Sequence, residues 1–220
     1  MNMKEYKLNI DPRILELLGP SLYTNIYYII AELIANAYDA DAHNVYIIDN
    51  GTNITVEDDG NGMSYVGGEI GKYLNVARIS RNSESDAETK LGRKKMGRKG
   101  VGKLAALSVS ENVLVKTITN DEKSGFILSR NVKDDRLLEA LDESEIKFEK
   151  IKQHGTAIVM LNPQYKLHAT IKAIKRNLLK LFPMVNEGFK IHIIRGKEEA
   201  VISNFASETK KVNKMKPKAL

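Results

Sequence analysis

The run from Leu22 to Asp41 constrains this chain most. Within "AELIANAYDADA", Glu32, Asn36 and Asp39 recur at intervals of four and three residues, bracketed by Leu33, Ile34, Ala35 and Ala37. Good helix formers at that spacing predict a helix with its polar groups along one face. A carboxylate, a carboxamide and a second carboxylate on a helix that otherwise faces a core are costly to bury without partners. A bound metal ion and its water would supply them. For an isolated Glu-x-x-x-Asn, a solvated helix stripe explains the same letters.

Two further segments follow. After a predicted strand, "TNITVED", the chain reads Asp58, Asp59, Gly60, Asn61, Gly62, Met63, a carboxylate at a strand end followed by two glycines in alternate positions. Glycine permits positive φ and close approach of another group; an ordinary tight turn uses the same residues. Farther on, Gly97, Arg98, Lys99, Gly100, Val101, Gly102 and Lys103 precede the helix-like "LAALSVS". Glycines ahead of a helix leave backbone N–H groups that, with the helix dipole, attract phosphate. This segment is not a Walker A loop. Position 104 is Leu where a hydroxyl would hold magnesium, and the preceding "TKLGRKKM" is charged rather than a buried strand.

In this order and at these distances, the three segments resemble the ATP-binding domain shared by DNA gyrase, the ninety-kilodalton heat-shock chaperones, histidine kinases and MutL-type mismatch-repair proteins, the GHKL superfamily. MORC-like ATPases are similar in phrasing. The family's E-x-x-x-N-[AS]-x-D-A helix falls at Glu32 to Ala40, its D-x-G-x-G turn at Asp58 to Gly62 and its G-x-x-G-x-G loop at Gly97 to Gly102. A Gly-Thr that opens a strand falls at Gly155 and Thr156. The resemblance runs from about Tyr6 to Arg195. It implies an α+β chain, a two-layer sandwich known as the Bergerat fold, with helices on one face of a mixed, mainly antiparallel sheet.

The same resemblance implies ATP and Mg2+ as ligands, and assigns roles residue by residue. Asp58 would accept a hydrogen bond from the adenine amino group, which guanine lacks there. Gly60, Gly62 and Met63 would border the adenine, and Thr156 would place a hydroxyl near it. Asn36 would ligate magnesium, an ion that takes oxygen ligands and keeps several waters; Asp39 would support the site. Gly97, Gly100, Val101 and Gly102 would wrap the phosphates. Lys103 departs from the apolar residue often found there in the chaperones, and a phosphate contact is assigned to it as well. Glu32 would orient and deprotonate the attacking water, whereas the histidine kinases generally carry an amide at this position.

The implied activity is slow, Mg-dependent ATP hydrolysis that gates a lid and drives a DNA-associated or chaperone-like machine. One alternative is a nucleotide-gated binding module with negligible turnover, and another a protein kinase of the histidine-kinase type. An ATP-dependent homodimer, and a DNA or protein client reached through a further C-terminal domain, are the implied partners. The 220 residues hold no cysteine, which removes disulfide and thiol chemistry. No apolar run approaches the length of a membrane span, and the charged start "MNMKEYKLNIDPR" is unlike a signal peptide. A cytoplasmic protein without membrane contact is expected. Lys plus Arg number 34 against 28 Asp plus Glu, a net +6 that suits a polyanion without identifying one.

Residues 1–203 are expected to form the domain and 204–220 a basic tail or the start of a linker. A strand is expected at "YKLNI", a short helix at Asp11 and Pro12, and a strand pair, "NVYIID" and "TNITVED", joined at Asn50-Gly51. A short helix around Val66 to Asn75 should precede a mobile lid at 76–96. There Arg93 and Lys94, with Arg98 and Lys99 beyond, are the cations available to the γ-phosphate. Strands follow at "NVLVKTIT", "GFILSRNV", "IKFEKI" and "TAIVML", then an amphipathic helix with Ile171, Ile174, Leu178 and Leu181 on one side. A hairpin across Gly196-Lys197 closes the chain. His43, His154, His168 and His192 show no paired ligand spacing, so ordinary roles and no zinc site are expected.

Overall fold

The computed structural model describes residues 4–9, 25–75, 88–96, 102–120, 122–130, 137–181, 188–204 and 207–208. The helix expected at Asp11 and Pro12, Gly97, Gly100 and Val101, lid residues 76–87 and nearly all of the basic tail lie outside them.

Alternating apolar residues build a seven-stranded sheet from β2 (Asn44–Asp49), β3 (Ile54–Asp58), β4 (Asn112–Ile118), β5 (Lys123–Ser129), β7 (Gly155–Met160), β8 (Lys190–Arg195) and β9 (Glu198–Ile202). The strand order is β5-β4-β7-β3-β2-β8-β9. Only β2 and β8 run parallel; the other neighbours are antiparallel. A separate pair joins β1 (Tyr6–Lys7) to β6 (Leu137–Leu138). The fold is therefore α+β with a mixed, mainly antiparallel sheet, as the Bergerat architecture requires.

Register puts Val45, Ile47, Ile54, Val56, Ile158, Met160, Val113, Val115, Ile191 and Ile193 on one sheet face. All ten are buried. Against this face pack α1 (Ile26–Asp39) and α3 (Ile171–Leu181). In α1, Ile29, Ile30, Leu33, Ile34 and Ala37 turn inward. Tyr28, Glu32, Asn36 and Asp39 stay outside or half-buried, which is the polar stripe that the spacing predicts. The side chain of Asn25 accepts the Tyr27 N–H at 3.0 Å and caps α1. The helix ends at Asp39, short of the expected Asp41, because Asp41 takes a positive φ of 63°. In α3, Ile171, Ile174 and Leu178 are buried as expected; Leu179 is the fourth core residue, while Leu181 is half-buried.

Three elements differ from expectation. The short helix α2 spans Glu69–Leu74 rather than Val66 to Asn75. The first five residues of "LAALSVS" lie in a 3-10 turn, Gly102–Ser108, in which Ser108 Oγ donates back to Ala105 O at 2.6 Å. "IKFEKI" is not a strand. The carboxylate of Glu57 accepts the N–H groups of Glu149, Lys150 and Ile151 at 3.0, 2.6 and 2.7 Å, so these donors are withdrawn from any ladder. Among the described residues, no helix is long and apolar enough to cross a membrane.

Candidate functional site

The first two motifs meet at the C-terminal end of α1. Ala40 O accepts the Asn61 N–H at 2.9 Å. A Cβ on Gly60 would sit 2.8 Å from that same carbonyl and 2.9 Å from Ala40 Cβ, so the turn lies against the helix end as closely as a glycine allows. Gly62 has φ of 68°, and a Cβ there would overlap Ile118 O. The glycines at alternate positions thus have separate causes, one a helix on one side and the other a strand end on the other.

The Gly-Thr segment closes the third side. Thr156 pairs with Asp58 across β3 and β7, and with Thr117 across β7 and β4. Fully buried Thr117 accepts the Met63 N–H at 2.7 Å and donates to Gly155 O at 3.2 Å. His154 Nδ1 lies 2.7 Å from Gly60 O. Thr117 and His154 escaped the motif reading. A hydroxyl at an inward position after Val113 and Val115 was the available signal for the first, and adjacency to Gly155 for the second.

Asp58 is the chemically singular group here. It is 8% exposed, and its Oδ1 accepts the Gly60 N–H at 2.9 Å. Burial, with added repulsion from Asp59 and Glu57, pushes its carboxyl up to about 7, against the opposing effect of the Gly60 and Thr156 backbone donors. Asp59, in contrast, is spent on structure: its Oδ1 accepts His43 and Asn44 N–H at 2.7 Å each, and its Oδ2 accepts Asn44 Nδ2 at 2.7 Å. Of the adjacent carboxylates, Glu57 and Asp59 hold loops, while Asp58 takes its backbone donors from Gly60 and Thr156 at the strand end.

Met63 is half-buried against the core. Asn36 lies about one helical turn before Ala40, and Glu32 about one turn farther back, both half-buried on the outer side of α1. Asp39 Oδ1 accepts the Met96 N–H at 2.7 Å, which brings the chain entering the glycine loop to the same helix. Gly102 opens the 3-10 turn; the side chain of Lys103 lies outside the described residues.

The segment 88–96 corrects one expectation, the role of Arg93. Glu88 forms a β-bridge with Lys94, and the Thr89 N–H donates to Arg93 O at 2.8 Å, so the described part of the expected lid is a short hairpin. Arg93 is 7% exposed, with its guanidinium turned to the carbonyl of Ala42, and so it is withdrawn from the cations that could meet a γ-phosphate.

A helix carrying Glu, Asn and Asp thus stands beside a glycine turn and a buried carboxylate on a mainly antiparallel sheet. Residues 23–156, more than half the chain, match the family described as histidine kinase-, DNA gyrase B-, and HSP90-like ATPase, and the protein belongs to that family. A curated relative, described as putative type II restriction enzyme HgiDII of Herpetosiphon aurantiacus, is 29% identical over 200 residues. The match takes in 88% of this chain and 32% of the relative, so the chain spans about a third of that protein's length.

Proposed function

We propose that this chain binds ATP with magnesium and hydrolyses it, Asp58 selecting the base and Glu32 activating water. The observation that carries the reading is the Asp58 carboxyl, buried at the junction of turn, helix end and strand, with a pKa pushed up to about 7. A carboxylate in this state gains from a ligand donor. The adenine amino group is such a donor, whereas guanine presents a carbonyl oxygen there. The direct pairing of Thr156 with Asp58 supports a hydroxyl contribution from Thr156 in the same reading.

The donor set fits magnesium: Asn36 offers one hard carboxamide oxygen on the half-buried face of α1, and phosphates and water would complete the shell. The ion would neutralise charge on the phosphates. In this reading Glu32, one turn from Asn36 on that face, takes a proton from water near the terminal phosphate. Support for an ATP-gated, dimerising machine comes from family membership, and support for DNA as its client from the relative's printed description. The relative's greater length supports a further domain as the route to that client.

Calorimetry tests the base assignment. Asp58→Asn is expected to weaken ATP binding by about 2 kcal/mol, roughly 30-fold, by loss of a charge-assisted bond at a buried site. Wild-type affinity for GTP equal to that for ATP would overturn it.

A pH dependence follows from the same group. In the free protein Asp58 holds its proton up to about pH 7, while the adenine donor favours the carboxylate and lowers that pKa. The bound state therefore carries fewer protons below pH 7. ATP affinity should rise as pH increases toward 7 and level off above it, with release of a proton that varies the heat between buffers of different ionisation enthalpy. Affinity flat from pH 5.5 to 8 would remove Asp58 from the adenine contact.

A further inference from the structure

Helix α3 reads IKAIKRNLLKL, with Lys172, Lys175, Arg176 and Lys180 as cations and no acid to balance them. Ile171, Ile174, Leu178 and Leu179 are buried, which leaves Lys172, Arg176 and Lys180 exposed at intervals of four residues, a stripe about 12 Å long on the solvent side. Lys175 stands apart, since its Nζ donates to Val201 O and meets Glu208 Oε1, each at 3.0 Å. Among the described residues, no carboxylate pairs with the three cations of the stripe. Their arrangement works against the helix. Like charges four residues apart repel, and Lys172 lies in the first turn, where the helix dipole disfavours a cation; only Lys180, in the last turn, gains from it. Anions from outside would relieve that repulsion.

We infer that this stripe is a contact for the phosphate backbone of double-stranded DNA. The proposed route to DNA through a further domain then has a second point of contact within this one, and that contact rests on DNA as the client and not on the ATP site. B-DNA carries one phosphate per roughly 3.4 Å of axis on each strand, so a stripe about 12 Å long lies beside three or four of them. A lipid surface does not fit. A helix that binds lipid sinks its apolar face into the headgroup boundary, whereas that of α3 is packed on α1, β8 and β9. Lysines outnumber the single Arg, and neither Asn nor Gln stands on the stripe, so phosphates are read rather than base edges.

Fluorescence anisotropy of labelled duplexes across a salt series tests this. A variant with Lys172→Gln, Arg176→Gln and Lys180→Gln is compared with one carrying Lys147→Gln, Lys150→Gln and Lys152→Gln. The second loses the same charge from exposed positions in the segment held by Glu57, whose side chain alternates to the sheet face away from α3. The α3 variant should bind every duplex sequence more weakly, and its slope of log affinity on log salt should be shallower by about 2.7, about 0.9 for each of three phosphates. The control should keep a slope within about one unit of wild type. Thermal melts should place the α3 variant no lower than wild type, because repulsion along the helix is removed. Each single substitution should shift the slope by about 0.9, which carries the comparison if the triple variant melts early. Equal losses in the two triple variants would assign binding to net charge and overturn the inference, as would an unchanged slope in the α3 variant. Wild type that binds phosphatidylserine vesicles and no duplex would overturn it in favour of a membrane. Wild type that binds neither would sink the DNA-client reading along with it.

Discussion

Glu32→Ala is expected to lower ATP turnover by about 10²- to 10⁴-fold, the contribution of a positioned general base, while ATP affinity changes little. The split follows from where Glu32 sits. It shares the half-buried outer face of α1 with Asn36, about one turn farther from the turn that holds Asp58. A carboxylate acting on the attacking water is used in the transition state and not in ground-state binding, so its loss appears in kcat and leaves affinity nearly intact. Phosphate release and calorimetry on the same preparations read both quantities. Asn36→Ala serves as the contrast, since loss of a magnesium ligand should weaken Mg-dependent binding itself. Undiminished turnover in Glu32→Ala would move the base elsewhere. Wild-type turnover at background, with ATP binding intact, would favour a nucleotide-gated binding module. Transfer of phosphate to a histidine would favour the kinase reading.

The parts of this architecture that were legible in the sequence are those set by local chemistry. Alternation placed β2 from Asn44 to Asp49, and Asn50-Gly51 marked the turn to β3. The stripe Glu32, Asn36, Asp39 lies where helical spacing puts it, because Leu33, Ile34 and Ala37 take the inner face. What was not legible depends on partners distant in sequence. "IKFEKI" has the alternation of a strand, yet Glu57, 92 residues before Glu149, captures the backbone donors of that stretch. The excess of Lys and Arg from Arg78 to Lys103 suggested cations around a phosphate. It carries no information on burial, and Arg93 is spent on Ala42 O, 51 residues away, between two rings that a charge count does not place. The same limit hid Thr117, whose hydroxyl ties Met63 to Gly155 only once β4 and β7 are paired.

Gly155→Ala should cost about 3 kcal/mol or more, combining a strained backbone with a forced displacement of packed strands. For a chain of this size that corresponds to a fall in Tm of roughly 6–12 °C. Gly155 takes φ of 142°, outside the range side chains favour, and a Cβ there would overlap Asp58 O and stand 2.7 Å from Ile151 Cδ1. The first of these is backbone in the neighbouring strand and cannot rotate away. Relief requires β7 to part from β3 where Thr156 faces Asp58, so the same change that destabilises the sheet should also disturb the base pocket. Gly51→Ala separates the two causes. Gly51 has φ of 88° with nothing within 4 Å of a Cβ, so it pays for conformation alone, on the order of 1 kcal/mol. Thermal melts should rank Gly155→Ala well below Gly51→Ala, and ATP affinity should fall only in the former. Equal melting losses would mean that the approach of Asp58 O to Gly155 is not what requires a glycine, and retained affinity would mean that the Asp58–Thr156 pairing does not shape the pocket.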